Sequence, residues 1–217
     1  GASQLMAYKP EETPIIDRDE DCLDQFADRA DRFLIGLSKV IEAEHDDRQL
    51  DMLMQTVPNF ERIGDYATNF VELAQRLQDA NTGFSNTAKK ELQILGDAVN
   101  EIIGITLNAF ASSNVEAAKA VEPLEEVIDD MVILLRDRHT KRLKNGVCAV
   151  DSGLVFMETL TYMERASDQC SSVAVMIIAC NDDSVLENHY NYLRDVHAGN
   201  DTNYLAEMEK RRQQYLE

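Results

Sequence analysis

Apolar residues recur at every third or fourth position through five long stretches of this chain, a period that suits helices burying one stripe each and little else. The first series is Leu23, Phe26, Ala30, Phe33, Leu37 and Val40, with a stop expected near His45-Asp46-Asp47. The second is Leu53, Val57, Phe60, Gly64, Ala67, Val71 and Ala74; it ends before Asn81-Thr82-Gly83, and Pro58 within it predicts a kink. A third helix is expected over about residues 89–111, with Leu92, Leu95, Val99, Ile102, Ile103 and Phe110 on one side. A fourth, over about 114–144, carries Ala118, Val121, Ile128, Met131 and Leu135, with another kink at Pro123 and a turn signal at Asn145-Gly146. The fifth, about 152–180, precedes Asn181-Asp182-Asp183 and a polar helical region reaching Glu217. Residues 1–16, with Pro10 and Pro14, read as an extended lead-in. Nothing alternates strand with helix, so the fold class is all-α.

Charge then narrows the partners. Forty acidic residues against 21 basic ones leave a net charge of −19, which repels nucleic-acid backbones and anionic lipid alike. Direct membrane insertion and a secretion signal are not expected, because no apolar run approaches the roughly 18 residues a span needs. Cys22, Cys148, Cys170 and Cys180 form no CxxC pair and fit buried, reduced thiols in the cytoplasm.

An internal repeat organises the rest. Setting Met54 over Met157 places Glu61, Arg62 and Asp65 on Glu164, Arg165 and Asp168, an offset of 164 − 61 = 103. The second stripe maps onto Phe156, Leu160, Met163, Ser167, Cys170, Ala174 and Ile177, and the small Gly64 and Ser167 leave room for another helix to approach. Each preceding helix carries a further acidic pair, Glu20 with Asp24 and Glu125 with Asp129, at an offset of 129 − 24 = 105. Spacing of four puts both carboxylates of a pair on one helix face. In an antiparallel hairpin two residues lie level when their mean number falls at the turn. The mean of 24 and 65 is 44.5 and that of 129 and 168 is 148.5, both beside expected turns, so each hairpin should gather four carboxylates.

Such a gathering is unfavourable unless something offsets the repulsion. Solvation on an exposed face is the commonest fate of acidic helix rows, and arginine pairing is the other plain account. The rows continue, however, to Asn69 and Ser172, and Arg62 and Arg165 are sequence neighbours of the glutamates and so point elsewhere. A hard cation with oxygen ligands answers the charge better: magnesium, calcium, manganese or iron, with zinc a further candidate. The ligand set read here is Glu20, Asp24, Glu61, Asp65, Glu125, Asp129, Glu164 and Asp168.

These four acidic pairs, repeated at matching levels, resemble the PhoU family, whose members repeat a three-helix unit and carry two E(D)xxxD motifs per unit that hold metal clusters. Phe60-Glu61-Arg62-Ile63-Gly64-Asp65-Tyr66-Ala67 looks especially like the PhoU-like cytoplasmic tail of bacterial sodium/phosphate cotransporters, as does the region from His189-Tyr190 to Tyr215. The resemblance implies tandem antiparallel up-down bundles divided as a lead-in over 1–16, a first repeat over 17–83, a second over 84–181 and a C-terminal extension over 182–217. The first repeat lacks its leading helix in this sequence; the C-terminal helix or a second protomer, as a homodimer, are the candidate covers for its exposed stripe. The implied function is metal-dependent, non-enzymatic regulation of phosphate transport at the inner face of the plasma membrane, with the transporter's membrane domain as partner and phosphate itself as a candidate ligand. A free-standing PhoU-type regulator and a metal-free acidic adaptor are the alternatives. A di-iron enzyme needs two Glu-x-x-His motifs, and only Glu42 with His45 has that spacing. His139, His189 and His197, without partner patterns, read as surface residues.

Overall fold

The computed structural model describes residues 2–182, 184–185, 189–198 and 201–216. Two short 3-10 turns, Ala2–Leu5 and Pro10–Glu12, precede α1 (Thr13–Leu37), α2 (Glu44–Asp79), α3 (Asn86–Ser112), α4 (Val115–Lys119), α5 (Glu122–Lys144), α6 (Val150–Asn181), α7 (His189–His197) and α8 (Thr202–Tyr215). The described residues contain no strand, as the helical period requires.

Several boundaries differ from expectation for physical reasons. Glu44, Asp46 and Asp47 fill the first turn of α2, where negative charge meets the positive end of the helix dipole. The acidic triplet therefore starts the second helix, and the first ends earlier, at Leu37. Pro123 occupies the opening turn of α5, where its missing N–H costs nothing, so the expected kinked helix is two helices, α4 and α5. Pro58 lies within an unbroken α2. Residues 2–12 are not extended: Gln4 and Leu5 are buried, the first turn packs on α2, and Gln4 ties Lys9 N–H (2.7 Å) to the Glu12 carboxylate (2.6 Å). Cys170 is buried as expected, but Cys22 is exposed. Asp183 lies outside the described residues.

The helices equivalent by repeat, α2 and α6, form the central contact and run antiparallel, with Arg62 reaching Gln169 (3.5 Å) near the middle of both and Arg76 binding Glu158 (2.6 Å) towards the C-terminal end of α2. Tyr66 stacks on Tyr162 between them, centroids 5.8 Å apart. The second unit is a closed three-helix bundle in which α3 covers α5 and α6. Leu92, Leu95, Ile102, Ile128 and Leu160 are fully buried there. By length and composition α3 is apolar enough to cross a membrane, yet its apolar side is used as bundle core.

The first unit is open. Leu23, Phe26, Ala27 and Ala30 of α1 correspond to Ile128, Met131, Val132 and Leu135 of α5, which α3 buries. Phe26 and Phe33 instead remain 69% and 68% exposed beside an apolar groove of about 640 Å³ between α1, α2 and α3. The C-terminal helix does not cover it. That helix, α8, packs on α5 and α3, held by Arg211 to Glu101, Arg212 to Asp130 and Tyr215 to Glu101.

Candidate metal centres

Each hairpin brings three carboxylates together. Glu20 and Asp24 of α1 and Asp65 of α2 offer oxygens within 4.8 Å of one another, and Glu125 and Asp129 of α5 and Asp168 of α6 do the same. The trios occupy the same repeat positions: 125 − 20 and 129 − 24 are both 105, and 168 − 65 is 103. The close hairpin packing comes from the small residues singled out by sequence. Leu23 presses so tightly on Gly64 that a Cβ there would lie 2.5 Å from Leu23 Cδ2, and Ser167, the repeat partner of Gly64, is fully buried.

In both trios the same atom is left without a partner. Asp24 Oδ1 and Asp129 Oδ1 are buried and accept no hydrogen bond from any described residue. A buried carboxylate oxygen without a donor costs about 1–3 kcal/mol or more, and two repeats sharing that cost at one position mark a purpose other than packing. Both trios consist of oxygen donors only, without histidine or cysteine, so they fit hard cations such as magnesium, calcium, manganese or iron better than zinc.

The electrostatics agree. Burial, then the neighbouring Glu122, Asp129 and Asp168 charges, push the Glu125 carboxyl up to about 9. Burial and the Asp168 and Glu164 charges push Asp129 to about 6, and Asp168 is raised by burial and Glu164. In the first trio Glu20 and Asp65 are raised by burial and by Asp24.

The fourth carboxylate of each expected quartet behaves differently. Glu164 belongs to no trio; the Arg136 guanidinium of α5 binds its Oε2 at 2.6 Å. This corrects the expectation that arginine plays no part. The position equivalent to Arg136 in the first unit, 136 − 105 = 31, holds Asp31. Glu61 therefore gains no matching cation, and burial with the Asp24, Asp65 and Asp31 charges raises its carboxyl. Substituting Glu164→Gln is accordingly expected to change cation affinity less than about threefold, whereas Asp168→Ala, which removes a carboxylate of the trio, should lower it more than about tenfold. Isothermal titration with manganese on both variants distinguishes the roles, and equal losses would place Glu164 among the ligands.

Three contacts around the second trio had not been anticipated. Glu122 is buried one turn before Glu125, accepts from Ser171 Oγ at 2.5 Å and meets His197 Nε2 at 2.6 Å, while His197 Nδ1 lies 3.3 Å from Glu126. His197 thus fastens α7 to the start of α5. His197 is exposed as expected, but His139 is not a surface residue: it is 1% exposed and stacked on Phe156 at 4.6 Å. Its position four residues beyond Leu135 continues the buried stripe of α5, a signal present in the sequence. The side chain of His189 lies outside the described residues. Glu42 and His45, the one di-iron-like pair in the sequence, are exposed at the α1–α2 link, remote in character from a bundle core.

Known proteins are similar to much of this chain in sequence and fold. The PhoU domain family matches residues 92–177. Among curated relatives, PhoU homolog 1 of Thermotoga maritima, a phosphate-specific transport system accessory protein, is 23% identical over 154 residues, 71% of this chain and 64% of its own length. The likewise named PhoU homolog of Clostridium acetobutylicum is 24% identical over 140 residues, 64% of this chain and 62% of its own. The chain thus spans somewhat under two thirds of these two relatives. PhoU homolog 1 of Methanothermobacter thermautotrophicus is 22% identical over 183 residues and 81% of each chain. Among solved structures, PhoU of Pseudomonas aeruginosa superposes with a TM-score of 0.75 at 22% identity, covering 82% of this chain and 85% of that one. The regulatory protein PhoU of Streptococcus pneumoniae gives 0.68 at 15% identity and 80% coverage of each. The all-helical PhoU fold is therefore that of this chain.

Proposed function

We propose that the chain is a PhoU-type regulator of phosphate transport whose state is set by hard cations held in the two carboxylate trios. The observation that carries the metal part is the buried, partnerless Oδ1 shared by Asp24 and Asp129. Asp24, Asp65 and Glu20 would hold one site and Asp129, Asp168 and Glu125 the other; the cation supplies the counter-charge that lets each hairpin close. A ligand that binds one arrangement of the hairpins better than another shifts the population toward it, and regulation of a transporter needs nothing more. No catalysis enters this account.

The three relatives bear the name of accessory proteins of the phosphate-specific transport system. That supports a separate accessory regulator over the cytoplasmic tail of a sodium/phosphate cotransporter, the reading the Phe60–Ala67 motif had suggested. The partner is then a membrane component of a phosphate transporter, engaged from the cytoplasmic side. The expected result in cells lacking this protein is phosphate uptake that no longer falls in phosphate-rich medium, restored by wild type and not by an Asp65→Ala/Asp168→Ala variant of equal abundance. Unchanged uptake on deletion would remove phosphate transport from the account.

A further inference from the structure

We propose that a second site, built around His139 and Arg142 at the far end of the closed bundle, binds a small tetrahedral oxyanion. It is independent of the carboxylate trios and of the function proposed for them. A cavity of about 260 Å³ opens there, lined among others by Gly83, Ser85, His139, Arg142, Cys148 and Ser152.

In a chain of net charge −19, none of the residues lining this cavity is acidic. Gly83 and Ser85 lead into α3, and Cys148 and Ser152 flank the start of α6, so the positive ends of two long helices converge on it. Ser85 caps α3, but Ala149 gives α6 no side-chain cap and leaves its first amides available to a ligand. Asp151, the acidic residue in that turn, faces a separate cleft beside Arg76.

Two side chains at the cavity have unused hydrogen-bonding groups. His139 is 1% exposed, and neither ring nitrogen makes a well-formed hydrogen bond with a described residue, although its ring lies against the Gly153 backbone, where a Cβ would sit 3.2 Å from Nε2. Arg142 Nη1 binds Glu91 at 2.7 Å, but its Nε and Nη2 are buried without partners. Arg138 also reaches Glu91, at 3.5 Å, so two guanidinium groups share one carboxylate and a positive charge is left over. A guanidinium edge, a ring nitrogen and uncapped helix amides form the donor set that a phosphate-like anion satisfies.

Inorganic phosphate is the probe, added to the full chain after chelator treatment so that metal-bound phosphate cannot contribute. His139 ring resonances followed by NMR are expected to shift saturably with phosphate and with sulfate. Arg142→Gln should weaken the affinity about tenfold or more, while Asp65→Ala/Asp168→Ala leaves it unchanged. O-phosphoserine serves as the second source of the same chemistry: tighter binding of it than of phosphate assigns the site to a phosphorylated partner and supports the oxyanion assignment. Wild-type ring signals that stay fixed with all three anions overturn the proposal, a result that needs no folded variant.

Discussion

Without metal, the protein is expected to lose stability steadily as pH rises from about 4.5 to about 9, and to regain it when manganese or magnesium is added at the alkaline end. The fold raises the Glu125 carboxyl from 4.5 to about 9 and that of Asp129 from 3.8 to about 6. A carboxyl raised by folding binds more protons in the native than in the unfolded chain across that window, so unfolding free energy falls with pH there. The stabilisation is fully present below the unfolded values and gone above about 9. The trio titrates as one coupled unit, and the total effect is on the order of a few kcal/mol. A cation reverses the sign of the problem: it replaces the protons, so binding near neutral pH should release close to one proton, chiefly from Glu125. Thermal melts at several pH values, with and without manganese, and calorimetry in buffers of different ionisation enthalpy measure both. Melting temperatures independent of pH would show that Glu125 is ionised at no cost.

The largest single-residue loss of stability is expected at Phe156. Its ring is 1% exposed and lies under His139 at 4.6 Å, edge-on to Phe84 at 5.8 Å and below the Arg142 guanidinium at 5.1 Å. Phe156→Ala removes a buried ring and leaves a cavity at the junction of α5, α6 and the α3 lead-in, at a cost of about 3–5 kcal/mol. Urea unfolding gives the number directly. A loss below about 1 kcal/mol would mean that the stack on Phe156 is not the closing element of this end of the bundle.

The helices were legible because each buries one stripe, and the carboxylate trios because a hairpin brings residues of fixed mean number level. Asp24 lies level with Asp65 even though the link precedes the expected turn. The link occupies residues 38–43, not the neighbourhood of His45, because a triplet of acids favours a helix start over a stop. Arg136 is not legible from spacing along one helix, because its pairing with Glu164 crosses from α5 to α6. The same holds for His197 and Glu122, 75 residues apart in sequence. His139 is legible from its place on the buried stripe of α5, although its residue type favours the surface. The open α1–α2 groove was foreseen from the missing third helix, and its exclusion of α8 was not, since the ion pairs that hold α8 to Glu101 and Asp130 depend on the packed bundle.

Metal analysis of the purified protein decides whether the two trios are cation sites. Protein prepared without chelator or metal-affinity resin, and the Asp65→Ala/Asp168→Ala variant prepared alongside, are assayed for manganese, iron, magnesium, calcium and zinc. Stoichiometric hard cation is expected in the wild type and none in the variant. Wild-type protein that is metal-free, and stays so after incubation with those ions, contradicts it and leaves two acidic clusters whose buried oxygens answer to something else.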